Sequence, residues 1–176
     1  MAQLPRPRPI PMSYWVEPGP MLAGHYPGCR RSDVARAKLR ALLQGGVTFF
    51  VDLTTPSDGL EPYHALLEEQ AAALGLCAKR HAIPILDFSV PSVDQVREIL
   101  DVIDAALARG ELVYVHCWGG LGRTGTIVGA WLVRHGMSGD DALAKIACWL
   151  ADTPRADRQS PETPEQRALV RNWRER

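Results

Sequence analysis

The sequence predicts a single α/β domain, a central, mostly parallel sheet of about five strands flanked by helices on both faces. Three observations carry this. The runs VTFFVDL (47–53) and ELVYVH (111–116) are continuously apolar, as strands buried on both faces are. Segments with apolar residues at helical spacing alternate with them. The chain has 176 residues, 46% of them hydrophobic, which suits one domain with a sizeable core.

Taken in order, residues 1–12 carry proline at 5, 7, 9 and 11. That spacing enforces an extended arm and misses the P-x-x-P pattern. SYWV and PMLAG read as two short strands around the turn Glu17-Pro18-Gly19. A helix is expected from Ser32 to about Gln44, with Leu39, Leu42 and Leu43 inward and Gly45 ending it. After strand 47–53 come a loop, a helix over about 62–74 stopping at Gly75, and a short strand within AKRHAIPI. Asp87 to Pro91 is a loop. Ser92-Val93-Asp94-Gln95 has the capping-box pattern, and Val96, Ile99, Leu100, Ile103 and Leu107 follow as a helical stripe that Gly110 ends. Beyond strand 111–116, helices are expected over 124–135, from Ser138, and from Thr163-Pro164-Glu165-Gln166, where proline sits in the first turn.

Composition excludes several roles. Lys plus Arg and Asp plus Glu are 20 each, so no basic excess points to nucleic acid or an anionic membrane. No apolar run approaches the roughly 20 residues of a membrane span. The N-terminus lacks the apolar segment of a secretory signal. The four cysteines, at 29, 77, 117 and 148, form no Cys-x-x-Cys pair, which argues against a zinc site and for a reducing, cytoplasmic setting.

The chemistry concentrates in VYVHCWGGLGRTG, residues 113–125. It contains a G-x-G-x-x-G match at 120–125, but the second strand and its terminal acid are missing, since 138–150 reads as a helix. The ending required of a Walker loop is absent. The other reading is a phosphate cradle. A turn from strand end to helix start gathers backbone N–H groups into one concavity, and the helix dipole adds positive potential. Glycines at 119, 120, 122 and 125 allow close approach of a ligand. A thiol at the base of such a field is favoured as thiolate. An arginine six residues on offers a planar fork for two phosphoryl oxygens. A buried cysteine before a glycine turn is the bland alternative.

The stretch HCWGGLGRTG resembles the H-C-x5-R-[ST] signature of the protein tyrosine phosphatase superfamily, in its dual-specificity, Cdc14-like and kinase-associated-phosphatase-like branch. The resemblance is strongest over 113–125. It extends loosely to the Asp87 loop and to Thr163–Gln166, so 13–176 is expected to be the phosphatase domain behind the arm 1–12. It implies Cys117 as nucleophile, with Arg123 and the backbone of Trp118, Gly119, Gly120, Leu121 and Gly122 holding phosphate. Thr124 would stabilise the sulfur, and His116 would support the loop. Asp87 is the implied general acid; Asp52, also at a strand end, competes with it. Gln166 matches a family glutamine that orients the hydrolytic water, though the capping box explains it equally well. Glu61 is a candidate carboxylate for buttressing Arg123. Trp118 is expected to floor the pocket or, more simply, to pack against the sheet.

No cofactor or metal is implied. The expected substrate is a phosphorylated protein, and inorganic phosphate or another oxyanion would fill the same site. No nucleic-acid or membrane partner is implied, and a monomer is expected. The loop lacks the lysines that lipid phosphatases of this superfamily typically place there, so the resemblance implies that inositol lipids are the less expected substrate. A phosphoinositide or RNA 5′-phosphatase and a phosphate-binding pseudophosphatase remain the alternatives.

Overall fold

The computed structural model describes residues 6–17 and 19–175. The first five residues of the proline arm, Pro18 of the expected turn and the last residue lie outside the described residues. The elements run β1 (Ser13–Val16), β2 (Met21–Gly24), α1 (Ser32–Gln44), β3 (Val47–Asp52), a 3-10 turn (Pro56–Asp58), α2 (His64–Ala73), β4 (Lys79–Ala82), α3 (Val93–Ala108), β5 (Leu112–His116), α4 (Gly122–Arg134), α5 (Gly139–Ala151) and α6 (Pro164–Arg171). The sheet order is β1-β2-β5-β3-β4. Only the β1–β2 pair is antiparallel. The predicted mixed α/β domain with a five-stranded, mostly parallel sheet is what the chain adopts.

Two apolar layers cover the sheet. On one face Leu39, Leu42 and Leu43 of α1 and Leu67 of α2 pack with Phe50, Tyr63 and Tyr114. On the other, α3, α4, α5 and α6 bury Ile99, Ile103, Ile127, Ile146 and Val170 against Val51, Val113 and Val115. Residues 113–115 are inaccessible on both faces, which accounts for the uninterrupted apolar run in β5. The described part of the arm lies against the domain: Ile10 is buried, and Trp15 Nε1 donates to the Pro7 carbonyl.

Helix ends follow local chemistry, with two departures. Ser92 caps α3 by accepting from Gln95 N–H, but the Gln95 amide donates to the Pro84 carbonyl instead of closing a capping box. α4 begins at Gly122, two residues before the expected start, so Arg123 and Thr124 stand in its first turn. Thr163 and Gln166 do form a reciprocal box at α6, a cap worth about 1 kcal/mol.

The register positions the site. Gly24, His116 and Asp52 are neighbours across the carboxyl ends of β2, β5 and β3. Loops leaving these ends, together with the one after β4, meet at a single edge, where open α/β sheets place their ligands.

Candidate active site

β5 ends at His116, and the chain turns over residues 117–121 into α4. The turn is held from outside by its carbonyls. The Trp118 carbonyl accepts from Tyr26 N–H at 2.9 Å, and the Leu121 carbonyl accepts from Gly125 N–H and from Ser160 Oγ at 2.8 Å. Among the described residues no partner takes the N–H groups of 118–121. Donors unpaired at the start of a helix form an anion cradle. Gly120 has φ +74°, and a Cβ there would stand 2.5 Å from the Gly24 carbonyl carbon, so backbone sign and space both demand glycine. Gly122 is pressed by two side chains: its Cβ position is 2.7 Å from Glu162 Oε2 and 3.1 Å from Gln166 Oε1.

Cys117 lies at the base of the turn, 3% exposed, and is a free thiol, as are Cys29, Cys77 and Cys148. Arg123 is also buried. Its Nη1 donates to Asp58 Oδ2 at 2.7 Å and to the Ile85 carbonyl at 3.0 Å, and Nη2 is 3.2 Å from Asp87 Oδ1. Burial works against the charge, but Asp58, the Cys117 sulfur and Asp87 outweigh it and hold the guanidinium pKa above its ordinary value. Nε has no hydrogen-bond partner. With Nη1 fixed from behind, the Nε–Nη2 edge is the fork left for two oxygens of a tetrahedral anion. The Thr124 hydroxyl is likewise buried and unpartnered.

The carboxylate behind Arg123 is therefore Asp58, not Glu61. Glu61 is exposed, and its part is played by its backbone carbonyl, which accepts from Tyr26 Oη at 2.8 Å. Asp58 ends a turn in which its Oδ2 also accepts from Thr55 N–H at 2.9 Å. The sequence signal was Thr55-Pro56-Ser57-Asp58, a capping pattern just past β3. Asp58→Ala is expected to destabilise the fold by about 1–3 kcal/mol, because it leaves the buried guanidinium with the part-exposed Asp87 as its remaining counter-charge. Denaturant unfolding measures this, and kcat/KM should fall with it as Arg123 loses its orientation.

Asp87 and Asp52 separate clearly. Asp87 is part-exposed on the loop after β4, touches Arg123, and accepts from Phe88 N–H at 3.1 Å. Asp52 is inaccessible and fully engaged. Its Oδ1 takes the Thr54 N–H and hydroxyl at 2.9 and 2.6 Å, and its Oδ2 takes Arg80 Nε at 2.8 Å. Burial opposes its charge, but His116, Thr54 and Arg80 together keep its pKa below the ordinary range. Trp118 is neither pocket floor nor core: its side chain is 53% exposed beside the cradle. Gln166 is buried at the start of α6, its amide against Gly122.

His116 sits beneath the loop among Tyr26, Tyr63 and Tyr114. Its Nε2 is 2.7 Å from Tyr63 Oη, and its Nδ1 is 3.4 Å from the Cys117 carbonyl oxygen. A proton on Nδ1 satisfies both contacts, with Tyr63 donating to Nε2. Burial, opposed by Asp52, takes its pKa down to about 4. Above about pH 6.5 the ring is neutral folded and unfolded, and it contributes nothing to pH dependence. As pH falls from there toward about 4, the unfolded chain binds a proton the native ring refuses, so stability drops, by roughly 3 kcal/mol in all. Below about 4 the loss levels off. His116→Gln should flatten the dependence of unfolding free energy on pH in this window; an undiminished slope would assign it to other groups.

Among the described residues no cluster of three or more His, Cys, Asp or Glu could hold a metal ion, and no helix is long and apolar enough to cross a membrane.

Residues 26–137 match the family described as Tc-R-P, the DSP-PTPase phosphatase of polymorphic toxin systems. Over 155 residues, 87% of the chain, it is 28% identical to the Arabidopsis thaliana protein named phosphatidylinositol 3,4,5-trisphosphate 3-phosphatase and protein-tyrosine-phosphatase PTEN1. It spans only 35% of that protein's length. The crystal structure of Tk-PTP in its active form superposes with a TM-score of 0.67 at 25% identity, over 91% of this chain and 93% of that one. PTPMT1 in complex with PI(5)P shares the fold, with a TM-score of 0.67 at 18% identity over 91% of this chain and 92% of that one.

Proposed function

The chain belongs to the DSP-PTPase phosphatase family, and from that premise we propose that it hydrolyses phosphotyrosine in proteins, accepting phosphoserine and phosphothreonine, through a phosphocysteine intermediate. The observation that carries the mechanism is Arg123, locked at Nη1 by Asp58 and Ile85 with its Nε unpartnered, and close enough to Cys117 to feel its charge.

The Cys117 thiolate attacks phosphorus as the bond from phosphorus to the ester oxygen breaks. The cradle N–H groups and the Nε–Nη2 edge of Arg123 hold the equatorial oxygens. Nη2 must release Asp87 to do so, and Asp87 then gives its proton to the departing oxygen. Water next attacks the phosphocysteine, losing a proton to the Asp87 carboxylate. The sulfur leaves as thiolate, with the Thr124 hydroxyl as its donor. Four free thiols fit a reducing, cytoplasmic setting.

Two features favour protein over lipid. The cradle Trp118–Gly122 has no lysine for further phosphates. Leu86, Phe88, Val90 and Trp118, on the acid loop and the cradle, are among the few large apolar side chains left exposed, and they suit the uncharged flanks of a peptide. A second reading, an inositol phosphate, rests on Arg155. Its Nη1 is 3.9 Å from where a Cβ of Gly119 would lie, and its side chain has no ion-pair partner among the described residues. Turnover on phosphotyrosine and phosphothreonine peptides, inositol phosphates and a 5′-phosphorylated RNA distinguishes them. The phosphoprotein reading fails if the inositol phosphates or the RNA are preferred.

A further inference from the structure

We propose that Gln166 is a positioning residue for the loop that carries Asp87, acting in the step that expels the leaving group; this rests on Asp87 being the general acid. Gln166 is fully buried, and both ends of its amide are used. Oε1 accepts from the N–H groups of Glu162 and Thr163, each at 3.2 Å. Nε2 donates to the Ser89 carbonyl at 3.2 Å. Ser89 is two residues past Asp87. The same amide lies against the cradle, 3.1 and 3.3 Å from the Cβ position of Gly122. One side chain thus touches the start of α6, the acid loop and the residue before Arg123.

The cap at α6 needs only Oε1. The bond to Ser89 is additional and requires the amide nitrogen. It matters because the ties from Leu53, Gln95 and Arg123 to the backbone of this loop reach only as far as Ile85. Its internal bonds are local: Ser89 N–H and Oγ to the Leu86 carbonyl, and Phe88 N–H to Asp87 Oδ1. Leu86 and Phe88 are exposed, and Phe88 has φ +56°, a left-handed conformation that a bulky residue adopts only when its surroundings impose it. The contact between Asp87 and Arg123 ends when phosphate oxygens take Nη2. The Gln166–Ser89 bond does not involve the phosphate site, so it persists while Asp87 transfers its proton.

Gln166→Glu keeps the length and the acceptor for Glu162 and Thr163, but sets a carboxylate oxygen against the Ser89 carbonyl. Steady-state kinetics on phosphotyrosine and on an activated aryl phosphate test it. The ratio of the two kcat/KM values is expected to fall by about 10–10²-fold, the upper figure being what misplacement of a reacting group by about 1 Å costs. The basic limb of the pH–rate profile should weaken, and in an Asp87→Ala background Gln166→Glu should lower the ratio no further. Gln166→Met should repeat the change in ratio, and circular-dichroism melting of both variants separates lost fold from lost positioning. An unchanged ratio in folded variants overturns the proposal. So does an equal slowing of both substrates with a burst of released phenol, which would put Gln166 on the water that hydrolyses phosphocysteine. If Asp87→Ala alone leaves the ratio unchanged, the acid assignment falls first and the proposal with it.

Discussion

Cys117→Ser is expected to lose hydrolysis of an aryl phosphate by on the order of 10⁴-fold or more, the scale on which removing a covalent nucleophile acts in other enzymes. Binding of a phosphopeptide should survive. The separation follows from where the two tasks reside. On the proposed mechanism the cradle N–H groups and Arg123 hold the anion, and Arg123 is fixed by Asp58 and Ile85. Serine keeps the size of the side chain, so the turn, fastened through the Trp118 and Leu121 carbonyls, should keep its shape. A hydroxyl lacks the thiolate's nucleophilicity. Initial rates and calorimetric titration with the phosphopeptide measure both quantities. Substantial retained turnover would remove Cys117 from the reaction.

Asp87→Ala should slow hydrolysis of phosphotyrosine or an alkyl phosphate by roughly 10²–10⁴-fold, the usual contribution of a positioned acid. An activated aryl phosphate should lose far less, because its phenol departs without a proton. With Asp87 as the proposed acid, the fall in rate toward basic pH should weaken, while the limb rising from acid should remain. Asp52→Ala should affect all substrates alike. It empties a site with four contacts from Thr54, Arg80 and His116 behind the cradle, and so acts through folding and loop position. Leaving-group dependence in Asp52→Ala and none in Asp87→Ala would put the acid on the wrong loop.

What the sequence disclosed was local, and what it hid lay between segments. α1 could be bounded at both ends because its inward leucines and the glycine after Gln44 are adjacent signals. The glycine turn was legible because the cysteine, glycines and arginine fall within one short stretch, 117–125. Asp58 was not, since its pairing with Arg123 spans 65 residues and Glu61 offered a carboxylate almost as near in sequence. The tie from Gln166 to Ser89 spans 77 and left no local trace. Trp118 shows the reverse failure. Its size argued for burial, yet it stands two residues past the end of β5, at the rim of the sheet, with its side chain exposed. α4 starts early for a related reason: glycine is a poor helix former, but a Cβ there would crowd Glu162 and Gln166, and packing overrides propensity.

The strand order has a consequence for how the protein comes into being. β2 and β3 do not pair with each other; each pairs only with β5 on its inner side. During synthesis the β1–β2 hairpin and the β3–β4 pair therefore wait as two separate sheets until β5 emerges, and such long-range pairing is the slow part of folding. β5 is also the strand that ends at Cys117. The event that closes the sheet is the event that places the thiol, and α4, which orders Arg123 beside it, comes later in the chain. Throughout assembly the cysteine is an ordinary thiol on an unfinished chain. Under the proposed mechanism, the nucleophile meets its phosphate cradle as one of the last acts of folding.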